Sequence, residues 1–77
     1  MKEIIEAILK DNIAGVDVES KALIEDGYIT SLAIIQLVSE LDIAFDIEIT
    51  FEAIKKENFN SVEAIEKMVM MYKMSKA

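Results

Sequence analysis

The chain has no cysteine and no histidine. Without cysteine there is no disulfide framework and no zinc-finger arrangement, which fits a reducing cytoplasm. Without histidine, the commonest general base and the commonest metal ligand are missing. Proline is absent, and no linker or internal repeat interrupts the sequence. No apolar run approaches the ~18 to 20 residues of a membrane span, and acids from Glu3 onward do not suit a signal peptide. At 77 residues the chain reads as one domain, 1–77. A domain of this size buries ~60% of its unfolded surface, which leaves little room for an enclosed active site.

Basic residues are missing from one stretch in particular. Between Ala22 and Ile54 there is no lysine or arginine, yet the stretch holds seven acids: Glu25, Asp26, Glu40, Asp42, Asp46, Glu48 and Glu52. Elsewhere eight acids and eight lysines cancel, so the net charge of −7 resides in the middle of the chain. A field of one sign steers partners of the other. It also argues against nucleic acid, whose phosphates need basic neutralisation. Solubility alone explains a negative total but not its segregation.

The apolar spacing predicts helices. Met1 to about Asn12 is one, with Ile4, Ile5, Ile8 and Leu9 sharing a face. Ala14 to Thr30 reads as a long loop containing Gly15 and Gly27, pinned by Val16, Val18, Leu23, Ile24, Tyr28 and Ile29. A loop of this length without its own secondary structure is often functional. Ser31 to about Phe45 is the second helix, with Thr30 as its N-cap. Thr50 is positioned to cap a short third helix near Phe51 to Glu57. Asn60 is positioned to cap a fourth, with Glu63 three residues on at capping-box spacing. Val62, Ile65, Met68, Val69 and Tyr72 form the inner stripe of that last helix. The methionines of "MVMMYKM" read as adaptable core filler. The expected fold class is all-α: a small four-helix bundle with a short third helix and a long loop between helices 1 and 2.

The second helix carries two apolar sets. Ile34, Leu37, Val38, Leu41 and Phe45 form a core face. Leu32, Ile35 and Ile43 fall on a different side, with Gln36, Ser39 and Glu40. Burial on both sides would explain this in a large protein; a small one has few elements left to cover the second face. Exposed apolar residues ringed by acids suit a docking surface for a basic-rimmed partner. Ser31 opens this helix. As a catalytic nucleophile it lacks a histidine base, and no flanking glycine makes a nucleophile elbow. A helix N-terminus does favour negative charge, so a serine there can carry a phosphate or phosphodiester. A divalent-ion site among Asp42, Asp46 and Glu48 has no calcium-loop spacing behind it.

The stretch "DGYITSLAIIQLVSELDIAFDIEIT" resembles the signature of the acyl carrier proteins and related phosphopantetheine-binding domains. In that family an Asp-Ser-Leu motif opens the second helix, and its serine receives 4′-phosphopantetheine from coenzyme A. Ser31 and Leu32 match the last two motif positions. Leu37, Val38, Leu41 and Phe45 match the core positions, and Asp46, Glu48 and Ile49 match the acidic tail. "ENFNSVEAI", Glu57 to Ile65, is similar to the family's approach to its last helix. Thr30 stands where the family has Asp. Ala33, Gln36, Ile43 and Ala44 occupy helix positions that are often acidic there.

The resemblance implies a carrier, not an enzyme. Ser31 would hold the prosthetic arm, whose own thiol carries an acyl or aminoacyl group as a thioester. Thr30, Leu32, Ile35, Gln36, Glu40, Asp42 and Ile43 would form the docking surface. Tyr28, Ile29 and Ile34 would line an acyl chain folded back between the helices, or pack as ordinary core. Implied partners are a phosphopantetheinyl transferase, acyl- or aminoacyl-loading enzymes, and acyl transferases or synthases with basic docking surfaces, of fatty acid, polyketide or related biosynthesis. A cytoplasmic monomer that binds no metal is expected. The rival reading is an unmodified acidic helical interaction module that uses Leu32, Ile35 and Ile43 as its binding face.

Overall fold

The computed structural model describes residues 1–76, with Lys76 by its backbone alone. Four helices follow in order: α1 (Lys2–Asn12), α2 (Ser31–Phe45), α3 (Lys56–Phe59) and α4 (Val62–Lys76). A 3-10 turn, Phe51–Ala53, precedes α3, and there is no strand among the described residues. This is an all-α bundle with a short third helix and a long α1–α2 loop. α1 packs on both α2 and α4, and α3 packs on α4.

The core draws on every segment. α1 supplies Ile5, Ile8 and Leu9, and α2 supplies Leu37, Leu41 and Phe45. The α2–α3 connection supplies Ile47 and Ile49, α3 supplies Phe59, and α4 supplies Val62, Ile65, Met68 and Val69. Ile34 and Val38 pack against this core half-buried. Ile4 differs from expectation: it is 46% exposed. Ile5, Ile8 and Leu9 already fill the face that α1 turns inward, and Ile4 falls at its edge.

The long loop is held by two buried anchors, Leu23 and Ile29. The carbonyl of Leu23 accepts from the N–H groups of Tyr28 and Ile29 at 3.0 and 3.1 Å. Gly27 makes the turn between them at φ +85°, a backbone conformation that side-chain-bearing residues rarely adopt.

Asn60 does not cap α4. Ser61 does so, accepting from the N–H of Ala64 at 3.0 Å. Asn60 instead clamps the loop. Its backbone carbonyl accepts from Leu23 N–H at 2.8 Å and its Oδ1 from Ile24 N–H at 3.0 Å, while its Nδ2 donates to Glu25 at 2.9 Å. Glu63 forms no capping box either. It reaches Lys2 at 3.7 Å and Lys21 at 3.9 Å, linking α4 to α1 and to the loop.

The third helix is likewise shorter than its sequence suggested. The Thr50 side chain makes no cap bond to the 3-10 turn. Tyr72 on α4 takes it instead, with its hydroxyl 3.1 Å from Thr50 N–H and 2.9 Å from Thr50 Oγ1. Among the methionines of α4, Met68 is buried, but Met70, Met71 and Met74 are exposed rather than core filler.

Candidate functional site

Ser31 is exposed and is the first residue of α2. Thr30 before it is extended (φ −97°, ψ 173°) and closes the helix end by accepting from Ala33 N–H at 3.2 Å. One orphan donor of the first turn is thereby satisfied. The N–H groups of Ser31 and Leu32 have no acceptor within the helix, as the geometry of a helix start requires. No acid lies in that first turn. A phosphate on Ser31 Oγ would therefore meet free donors and the positive end of the helix dipole, with no carboxylate among its nearest helix neighbours.

The position of Ser31 is set from well outside α2. The loop reaches it through Leu23, Tyr28 and Ile29, and Asn60 fixes that path from the α3–α4 junction. Lys56 on α3 adds an ion pair to Glu25. The Lys56 ammonium, and after it the Asn60 amide, hold the Glu25 carboxyl below its ordinary value.

The proposed docking residues separate into two groups. Leu32, Ile35 and Ile43 are 78%, 65% and 80% exposed. With Gln36 and Ser39, also exposed, they fall within an arc of about 100° and form one stripe down α2 from the Ser31 end. Thr30 is exposed at the head of this stripe. Glu40 is half-buried at its flank and forms no ion pair with a described residue.

Asp42, also half-buried, borders the stripe on the side opposite Glu40, about 20° beyond Ile35, but its carboxylate and carbonyl are already engaged within the chain. Its carboxylate accepts from Ile49 N–H at 3.0 Å, and its carbonyl accepts from the N–H groups of Asp46 and Ile47. Asp46 closes α2 in the left-handed conformation, φ 54°. The first duty of Asp42 is thus to end the helix and hold the connection that follows. No local pattern marks this bond, because the partner lies seven residues ahead in irregular backbone.

Tyr28 and Ile34 are half-buried and Ile29 is buried, all three packed with the core. They adjoin the Ser31 end of α2 along the chain. No grouping of acids able to hold a metal ion occurs among the described residues. No described helix is long and apolar enough to cross a membrane.

No protein-family model matches the chain. Over 68 residues it is 35% identical to aminoacyl carrier protein 1 of Bradyrhizobium diazoefficiens, covering 88% of this chain and 76% of that protein. Over 67 residues it is 27% identical to aminoacyl carrier protein 2 of the same organism, covering 87% and 75%. It also resembles a chain in the crystal structure of Bradyrhizobium japonicum glycine:[carrier protein] ligase complexed with its cognate carrier protein and an analogue of glycyl adenylate. That similarity has a TM-score of 0.72 at 35% identity and covers 91% of this chain and 95% of that chain. The matched chain is therefore about as long as this one.

Proposed function

The chain belongs to the acyl carrier protein family, and on that premise we propose that it acts as one carrier domain, modified on Ser31, that holds an amino acid for partner enzymes. The observation that carries this reading is an exposed serine at the first position of α2, beside free backbone donors and at the head of an exposed apolar stripe. When attached, 4′-phosphopantetheine supplies the thiol on which the cargo is held as a thioester. The chain itself attaches, orients and presents. Ser31 Oγ provides the bridging oxygen, and Thr30 fixes the turn from which it projects. The unpaired N–H groups of that turn stabilise the phosphodiester charge. Leu32, Ile35, Gln36 and Ile43 offer partners an apolar strip, and Glu40 offers a charge for a basic side chain. Nothing in this role asks the chain for a general base, and it has no histidine to serve as one.

An aminoacyl cargo is preferred over a fatty acyl or polyketide one because both curated relatives are named aminoacyl carrier proteins and the structural neighbour is bound to a glycine ligase. The partners in this reading are a phosphopantetheinyl transferase, an ATP-dependent aminoacyl ligase and the enzyme that consumes the aminoacyl group.

The test is intact mass. After incubation with coenzyme A and a transferase the chain should gain one phosphopantetheine, and Ser31→Ala should gain none. The modified chain, given an aminoacyl ligase, ATP and single amino acids, should then gain one amino acid residue, removable by hydroxylamine as a thioester is. Modification at Ser20, Ser39 or Ser61, or none with several transferases, overturns the attachment. Loading by fatty acyl groups but by no amino acid overturns the cargo.

A further inference from the structure

A groove of about 320 Å³ lies between α1 and the second half of α2. Its α1 wall is Ile4, Ala7, Ile8 and Asp11, and its α2 wall is Glu40, Ile43 and Ala44. Each set follows helical spacing, so each wall is a single helix face. Ile8 is buried, but Ile4, Ala7, Ile43 and Ala44 are exposed. Apolar residues at this spacing on two adjacent helices normally mark faces that something covers. One carboxylate stands on each wall, Asp11 on α1 and Glu40 on α2. Neither pairs with a described cation: the ion pairs of the described chain use Glu3, Glu25 and Glu63.

We infer that this groove docks an amphipathic helical segment of a partner protein. An apolar side chain of the segment seats between Ile4 and Ile43, and lysines or arginines flanking it meet Asp11 and Glu40. Charge decides the choice of occupant. Two unpaired acids beside the apolar residues repel nucleic acid and anionic lipid, and they complement a basic-flanked apolar side chain. The groove shares Glu40 and Ile43 with the far end of the α2 stripe but does not include Ser31, Leu32 or Ile35. Ile43 lies about 18 Å along the helix axis from Ser31, so a segment seated here leaves the Ser31 end open. The docking does not depend on modification of Ser31.

The unmodified, isotope-labelled chain can be titrated with a short leucine–lysine amphipathic helical peptide and followed by amide chemical shifts. Shifts should concentrate on Ile4, Ala7, Ile8, Asp11, Glu40, Ile43 and Ala44. The same peptide with glutamate for every lysine should cause none. Ile4→Ser combined with Ile43→Ser should weaken binding at least about tenfold, since two apolar contacts are lost. Asp11→Lys combined with Glu40→Lys should abolish binding without touching the apolar residues, so the outcome does not hang on the folding of one variant. Met74→Ser, an exposed apolar change on α4 away from both the groove and the α2 stripe, should leave affinity unchanged. The inference is overturned if shifts spread over the other surface acids or centre on Leu32 and Ile35, or if the glutamate peptide binds equally well. Binding unchanged in both double variants, or binding to phosphatidylglycerol vesicles in preference to the lysine peptide, overturns it too.

Discussion

Asn60→Ala removes the side chain that clamps the long loop to the α3–α4 junction. Two bonds disappear, from Ile24 N–H to Oδ1 and from Nδ2 to Glu25. The backbone bond from Leu23 N–H to the carbonyl of residue 60 can survive. The main loss is at Ile24, a half-buried residue whose N–H is left without its acceptor. An unsatisfied buried donor costs ~1–3 kcal/mol. Half-burial admits some water and places the cost in the lower part of that range, about 1–2 kcal/mol. The exposed Asn60–Glu25 bond adds little. The loss should appear in urea unfolding as a lower midpoint at unchanged slope. It should also appear as faster amide exchange at Ile24, and then at Tyr28 and Ile29, which bond back to the Leu23 carbonyl. Asn60→Asp keeps the acceptor and loses the donor, so exchange at Ile24 should stay slow. If the alanine variant unfolds at the parent midpoint and Ile24 remains protected, the clamp does not hold the loop, and the account of how Ser31 is positioned fails with it.

Phe45→Ala should cost ~3–5 kcal/mol in urea or thermal unfolding, as large-to-small core changes do, whereas Ile43→Ala, at an exposed position, should fall within ~0.5 kcal/mol of the parent. Glu25 is held below its ordinary carboxyl value by Lys56 and Asn60, so its ionised form stabilises the fold above the unfolded value and the contribution is lost as pH falls through the folded value. The difference in urea midpoint between the parent and Glu25→Gln should therefore be full at pH 7 and shrink below the reference value of 4.5; a difference that grows on acidification refutes the assignment. Leu32→Ala should slow phosphopantetheine transfer with little salt dependence, while Glu40→Lys should slow it mainly at low ionic strength, where screening is weak; initial rates against salt distinguish the two, and a Glu40→Lys variant as fast as the parent at low salt removes Glu40 from the recognition surface for that transferase.

The helices were legible where local chemistry and period agreed. α2 runs from Ser31 to Phe45 as its spacing indicated, with Thr30 capping it, because that cap bond spans only three residues. The two apolar faces of α2 could also be read. Their separation follows from the helical period, and the exposure of the second follows from the small number of elements available to cover it. Errors arose where a distant partner decided between equivalent local choices. Asn60 and Ser61 are both good caps, and Asn60 is diverted by Ile24, 36 residues away. Thr50 is diverted by Tyr72, 22 residues away. Neither partner leaves a mark in the local pattern. The exposure of Met70, Met71 and Met74 follows from the placement of α4, whose inward face is filled by Val62, Ile65, Met68 and Val69.

The acidic middle of the chain takes on a different meaning once its side chains are placed. Glu25 pairs with Lys56, Asp26 accepts from Ser20 at 2.8 Å, and Asp42 holds Ile49. These acids organise the two irregular segments that flank α2, and they stand where a rigid frame for that helix needs acceptors. Docking by general electrostatic attraction therefore has fewer free charges to work with than the sequence total implies. The exposed stripe of α2, meanwhile, is Leu32, Ile35, Gln36, Ser39 and Ile43, without a charge among them. If partners dock here as proposed, such a surface would discriminate by shape and apolar contact, with Glu40 at its flank as the nearest charge on that side. Two of the positions where related carriers often have acids are here occupied by Gln36 and Ile43, and they fall on this stripe. Ala33 and Ala44, the other two such positions on α2, lie outside the stripe, so the departures from the family pattern are shared between this face and its flank.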